Sequence, residues 1–260
     1  MNNKVALMIV GSLRNYQKTA DNLLTNLILP NNCDIFMMLS LNNYSENIRT
    51  VNNKSTMNDV KDYINIIGQS NRVKSYKILE ECEDYNDMVS SLFEKNYEGY
   101  CLKKINYPKE EFKKNIETSY LNYMCWKLLQ EYSDTNGTYD IIVRTRPDLL
   151  IKKEILLNCV DSNTFYHDRK SDYRNHPPSA YCSDYLCYGH ASVMKVFSES
   201  VFKFGIIKKN YTDKHGINLS LTKEYQTALL LVKNKIILKP EMLSKKGEHM
   251  SHTFALILIR

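Results

Sequence analysis

The sequence predicts an α/β fold in which a mainly parallel central sheet is flanked by helices. Two observations near the amino end carry this. Lys4 to Val10 and Asp34 to Leu39 are short, continuously apolar runs, as expected of strands covered on both faces. Between them Ala20, Leu23, Leu24, Leu27 and Ile28 fall at helical spacing. Strand, helix and strand within about forty residues make a parallel βαβ unit. A third observation lies far downstream, where the apolar run Tyr139 to Val143 passes into Arg144-Thr145-Arg146-Pro147-Asp148.

The elements follow in order. The first strand ends at Gly11-Ser12-Leu13-Arg14, and Pro30-Asn31-Asn32 stops the first helix. Ser40 to Thr56 is rich in Asn, Ser and Thr and reads as a long polar loop after the second strand. Val60, Tyr63, Ile64 and Ile67 mark a short helix, followed by a third strand from Val73 to Leu79. Asp84 to Tyr107 reads as helix and loop. A long helix covers Glu110 to Tyr132, with Ile116, Tyr120, Met124 and Leu128 in one stripe and Asp134 to Gly137 as its terminator. After the fourth strand come a short strand at Thr164 to Tyr166 and a polar loop from His167 to Ser183. A strand from Asp184 to Tyr188 then leads, with a turn at Gly189, into a helix carrying Val193, Met194, Phe197 and Val201. Leu221 to Val232 is a last helix, and Lys235 to Leu238 a last strand before a polar tail. No internal repeat or interdomain linker stands out, so one domain over residues 1–260 is expected. It divides into halves of 1–150 and 151–260, the second with the carboxyl tail.

Composition narrows the class. The 260 residues carry a formal net charge of +6, with 43% hydrophobic and 25% charged residues, an ordinary globular balance. The charge comes from 27 Lys against 8 Arg, beside 27 Asn. That uniform Lys and Asn excess reads as a coding bias toward A- and T-rich codons, so the few arginines are the informative cations. The basic residues are scattered and form no aromatic-plus-Arg platform, which makes nucleic acid the weakest partner. No run approaches the ~20 apolar residues of a membrane span, and Val5 to Val10 is too short for a signal-peptide core. Seven cysteines, an odd number without a CxxC pair, fit reduced thiols in a cytoplasmic compartment.

The chemistry gathers at the end of the fourth strand. Pro147 cannot donate to a neighbouring strand and pushes Arg146 toward extended geometry, so the strand stops here. Arg144, Arg146 and Asp148 are then presented around its carboxyl end, the edge where open α/β sheets bind ligands. A carboxylate flanked by guanidinium groups suits a cation bridging a diphosphate, with Asp148 on the metal and arginine on phosphate oxygens. The plainer alternative is an Arg–Asp ion pair capping a strand. At the end of the first strand, Gly11 lets the backbone approach a ligand closely, and Arg14 is placed to reach a diphosphate. The segment is neither GxGxxG nor a P-loop, so dinucleotide binding and ATP hydrolysis have no support.

Gly11-Ser12-Leu13-Arg14, the helix running into Tyr139 to Asp148, and Ser183-Asp184-Tyr185-Leu186-Cys187-Tyr188-Gly189 before a Met-containing helix recur in this order within residues 4–232. Together they resemble nucleotide-sugar glycosyltransferases of the GT-A type, and more narrowly a group found in large DNA viruses, bacteria and algae. The resemblance implies a Rossmann-like nucleotide-binding half with Gly11, Ser12, Arg14, Arg144 and Arg146 on the donor. It also implies a metal site for Mn2+ or Mg2+ at Asp148. Where such enzymes carry Asp-x-Asp, this chain has Arg146-Pro147-Asp148, keeping only the second acidic position. A histidine near the carboxyl terminus is another metal or diphosphate contact in many such enzymes, which singles out His252, with His249 beside it.

The implied activity is transfer of a hexosyl or deoxyhexosyl group from a nucleoside-diphosphate sugar, UDP-linked foremost, to a glycan, glycoprotein or other hydroxyl acceptor. An inverting transfer needs a carboxylate to take the acceptor proton. Asp184 is the first candidate and Glu224 the second, each with the bland reading of a turn or helix-start carboxylate. His167 and His176 bracket the polar loop, and Trp126 is read as core. Two other readings stand beside this one: a domain that binds nucleotide or glycan without turnover, and a nucleotidyltransferase. The latter normally wants two or more acidic metal ligands close together.

Overall fold

The computed structural model describes residues 3–41, 54–99, 109–151, 153–158, 160–168, 182, 185–204, 223–240 and 257–258. Strand β1 (Val5–Ser12) leads into α1 (Tyr16–Leu23), which continues as a π turn over Leu24–Ile28 before β2 (Asp34–Ser40). Helix α2 (Met57–Ile67) precedes β3 (Val73–Ile78). Its first turn is held by a capping box in which Asp59 accepts from the Thr56 backbone N–H at 2.7 Å. Helices α3 (Tyr85–Gly99) and α4 (Lys109–Asn136) carry the chain to β4 (Ile141–Thr145) and the two-residue β5 (Leu149–Leu150). Then come β6 (Thr164–His167), β7 (Leu186–His190), α5 (Ala191–Ser198), α6 (Lys223–Lys233) and β8 (Ile237–Pro240). A short β9 (Ile257–Leu258) pairs antiparallel with β5.

The main sheet has seven strands in the order β3-β2-β1-β4-β7-β6-β8. The pairs β3–β2, β2–β1, β1–β4 and β6–β8 are parallel, whereas β7 runs antiparallel to both β4 and β6. The architecture is thus α/β, a mostly parallel mixed sheet with helices on both faces. Alternate residues of the central strands feed two cores. Ala6, Met8, Val10, Phe36, Met38 and Ile142 pack with the α3–α6 side. Val5, Leu7, Ile9, Ile35, Met37, Leu39, Ile141 and Val143 pack with α1 and α2. Burial on both faces explains why these strands read as unbroken apolar runs rather than as alternation.

Three boundaries differ from the sequence reading for physical reasons. The long helix runs through Asp134 to Asn136 instead of stopping there. Ser133 Oγ donates to the Leu129 carbonyl at 2.8 Å and Asn136 Nδ2 to the Tyr132 carbonyl at 3.0 Å, so these polar side chains bond back onto the preceding turn and are accommodated within the helix. Gly189 lies inside β7 and does not begin the helix. A Cβ there would stand 3.0 Å from the Thr164 carbonyl oxygen, so the residue is needed for close approach of β6. The helix is capped one residue later, where His190 Nδ1 accepts from the Ser192 N–H.

The chain passes from β1 to β2 to β3 on one side, then returns through α3 and α4 to place β4 on the other side of β1. The order therefore reverses between β1 and β4, which run parallel, so both carboxyl ends open at the same edge. Such a reversal is where open α/β sheets leave a crevice for ligand.

Candidate functional site

Two turns meet at that crevice. At the end of β1, Gly11 has φ +129°, a conformation that side-chain-bearing residues rarely adopt. A Cβ at Gly11 would lie 3.7 Å from Pro147 Cδ, so the two turns are in van der Waals reach. Ser12 is the last residue of β1, buried and in register with Ser40. At the end of β4, Pro147 ends the ladder as its missing N–H requires, and its carbonyl accepts a 2.6 Å hydrogen bond from the Thr19 hydroxyl of α1. The two turns are thereby fixed relative to one another.

Asp148 sits between them. Arg146 forks onto it, with Nε to Oδ1 at 2.8 Å and Nη2 to Oδ2 at 2.7 Å, a bidentate charge-assisted pair. Arg14 Nη2 approaches the same Oδ2 at 3.7 Å. The Asp148 side chain is 4% exposed, against 19% for Arg146 and 30% for Arg14. The carboxylate is therefore the most deeply buried of the three side chains. Burying a carboxylate at this depth is tolerable because it is paired and hydrogen-bonded. Tyr63 of α2 lies fully buried close enough for the Asp148 charge to act on it. Burial first, and that charge second, push its phenol far above the ordinary range and keep it protonated.

A third segment joins the edge. The antiparallel register pairs Thr145 with Leu186, so the next residues outward are Arg146 and Tyr185. Accordingly the Arg146 guanidinium carbon stands 5.2 Å from the centre of the Tyr185 ring, within cation–π range.

The structure thus brings together Gly11, Ser12, Arg14, Arg146 and Asp148. It does not bring Arg144 to them. Arg144 is 1% exposed, beneath α4, where its Nε donates to Asn122 Oδ1 at 2.9 Å. Strand alternation turns it into the core under the helices, one residue before the strand ends. Glu224 lies in the first turn of α6, half-buried, with its carbonyl accepting from Cys182 Sγ at 3.3 Å. That helix packs through Ala228 and Leu231 into the core on the α3–α6 face, whereas Asp148 is on the α1–α2 side beside Leu149. His167 is buried on β6, its Nδ1 2.9 Å from the Asp168 carbonyl oxygen, and Trp126 is buried in the core as expected. Asp184, His176, His249 and His252 lie outside the described residues.

The arrangement fits a divalent cation poorly. Both oxygens of Asp148 are held by Arg146, and Arg14 Nη2 approaches one of them at 3.7 Å. Among the described residues no three His, Cys, Asp or Glu side chains cluster in a way that would hold an ion. An Mn2+ or Mg2+ ion needs several oxygen donors.

Several contributors were not visible as site residues in the sequence. Thr19, Tyr63 and Asn122 look like ordinary helix positions. Asn22, Asn26 and Asn31 were absorbed into the Asn excess, yet they hold the chain that follows Asp148. Asn22 exchanges two bonds with the Ile151 backbone at 2.8 and 2.6 Å, Asn26 Nδ2 donates to the same Ile151 carbonyl at 3.1 Å, and Asn31 brackets residues 155–157. The four-residue step from Asn22 to Asn26 on one helix face was the available signal.

No protein-family model matches the chain, and no curated protein sequence matches it significantly. The fold and the edge therefore define a class only: an α/β protein of mostly parallel sheet, compatible with a Rossmann-like fold, with Arg14 and Arg146 paired to a buried Asp148 at its strand-order reversal. Among the described residues no helix is long and apolar enough to cross a membrane.

Proposed function

We propose that this chain is a glycosyltransferase of GT-A type that moves a sugar from a nucleoside-diphosphate donor, UDP-linked foremost, to a hydroxyl of a glycan or glycoprotein. One observation carries the reading. Arg14 and Arg146, from turns on either side of the strand-order reversal, converge on one buried carboxylate. Such an edge is where α/β sheets take nucleotides, and paired guanidinium groups suit diphosphate oxygens.

In this reading the base and ribose lie over the Gly11 turn, and the diphosphate lies against Arg14 and Arg146. Breaking the bond from the anomeric carbon to the diphosphate oxygen leaves negative charge on the departing group. Fixed cations aimed at that charge lower the barrier. Asp184, adjacent in sequence to the Tyr185 that meets Arg146, is the first candidate to accept the acceptor's proton, and Glu224 the second. The odd count of seven cysteines, without a CxxC pair, supports action in the reducing cytoplasm.

Thermal stabilisation by a panel of nucleotide sugars, followed by assay of donor hydrolysis and transfer, tests the reading. We expect one donor to stabilise the chain and to be hydrolysed slowly without acceptor. Stabilisation without any turnover would assign a nucleotide-binding domain instead. A complete lack of response across the panel would sink the proposal.

A further inference from the structure

We infer that β9 is a detachable strap on the Asp148 turn, and that its docking on β5 is coupled to ligand binding at the carboxyl edge of the sheet. The coupling rests on the nucleotide reading above and deepens it. Strand β5 begins at the residue after Asp148 and lies outside the seven-stranded sheet. Among the described residues its one ladder is with β9, in an antiparallel register that sets Leu149 against Leu258 and Leu150 against Ile257.

The backbone on either side of β5 is pinned to α1. Thr19 donates to the Pro147 carbonyl at 2.6 Å, and Asn22 exchanges two bonds with the Ile151 backbone. Those bonds end on Pro147 and Ile151, and leave the peptide groups of Leu149 and Leu150 to other partners. Leu149 is fully buried, and a buried backbone N–H or C=O without a partner costs as much as a lost hydrogen bond. Pairing with β9 meets that need. The sequence agrees, since Phe254 to Ile259 is an unbroken apolar run after a polar stretch, the pattern of a short covered strand.

The pairing is also small enough to come apart. A two-residue ladder outside the main sheet opens at a lower free energy than strands buried between two cores, whose release requires global unfolding. When β9 leaves, β5 loses its strand partner directly beside the carboxylate that accepts the Arg146 fork. A ligand bound against the ordered turn therefore favours the docked strap, and by linkage the docked strap favours the ligand.

Amide hydrogen exchange of the whole chain, read by NMR, tests this first without any substitution. The protected amides of β5 and β9 should share one protection factor within about threefold, well below that of β1. Deleting residues 257–260 should speed exchange in β5 about tenfold or more and change β1 and β2 by less than about twofold. A synthetic peptide of residues 251–260, added in excess, should restore the slower rate. One nucleotide among UDP, GDP, ADP and CDP should slow exchange in β5 and β9 together, and should bind the truncated chain about fivefold more weakly or worse.

The contrary results are distinct. If β5 stays protected while β9 exchanges freely, or ignores the deletion, β9 straps nothing. Exchange of both strands only as slowly as β1, or global unfolding on deletion, would make β9 part of the folded core and not detachable. A nucleotide that slows exchange in α1 and β4 but leaves β9 unchanged would remove the coupling and leave the nucleotide reading standing. No response to any of the four, with or without Mn2+, would remove that reading and the coupling together.

Discussion

The hydroxyl of Thr19 donates to the carbonyl oxygen of Pro147 at 2.6 Å, across 128 residues of chain. Thr19 is wholly buried, so the bond is shielded from water and its loss leaves a buried carbonyl unsatisfied. It ties helix α1 to the turn that carries Arg146 and Asp148. Thr19→Val keeps the shape and removes the donor. We expect a loss of about 1–3 kcal/mol in urea unfolding, largely recovered in Thr19→Ser. Equal stability of the valine variant and the parent would mean that the contact does not hold the turn.

Gly11 faces the same turn from β1. Its φ of +129° is the obstacle to substitution, since a Cβ would meet Pro147 Cδ at an ordinary 3.7 Å. Gly11→Ala should therefore cost about 1–3 kcal/mol of backbone strain, and Gly11→Ser about the same. A cost that grows sharply from alanine to serine would point to crowding instead.

Beneath α4, Arg144 donates to Asn122, both buried. Asn122→Leu leaves a charged group with one acceptor fewer in a low-dielectric setting. Chemical denaturation should show a loss of about 1.5–3 kcal/mol. The Asn122→Leu and Arg144→Leu double variant should lose less than the sum of the single changes, because the second change removes the charge that the first stranded. Strict additivity would show that the two side chains are not coupled.

The Asp59 carboxyl is held below its ordinary 3.8, first by the Thr56 backbone N–H and also by the Thr56 and Tyr16 hydroxyls, against the opposing effect of burial. A carboxyl depressed on folding contributes stability above its unfolded value and loses it as pH falls through its folded value. Wild type should exceed Asp59→Asn by about 1 kcal/mol at pH 7, the scale of a helix cap. That gap should close as pH falls below about 4. Melting curves across this window decide the matter, and a gap independent of pH would assign the effect to something other than the carboxylate.

Legibility followed the range of the interactions involved. Runs such as Val5 to Val10 and Asp34 to Leu39 mark strands because both faces are buried, a condition that leaves its trace in consecutive residues. Pro147 marks the end of β4 because a missing N–H is a property of the residue itself. The antiparallel placement of β7 between β4 and β6 leaves no comparable local trace. The work of Asn22 and Asn26 depends on a segment more than a hundred residues away, so composition alone assigned them to bias.

By itself the sequence determined the α/β pattern and the stretch where charge gathers, since periodicity, proline and glycine act locally. Only the tertiary structure decided which charges meet and in what order from solvent. Arg144 and Arg146 are two residues apart, yet one lies under α4 bonded to Asn122 and the other forks onto Asp148. Strand geometry holds Arg144 to the core side, whereas Arg146 lies beyond the ladder, where the turn rather than the pleat sets its direction. The depth of Asp148 beneath Arg14 and Arg146 arises from α1 and the β4 turn closing on each other. That arrangement is absent from any local motif.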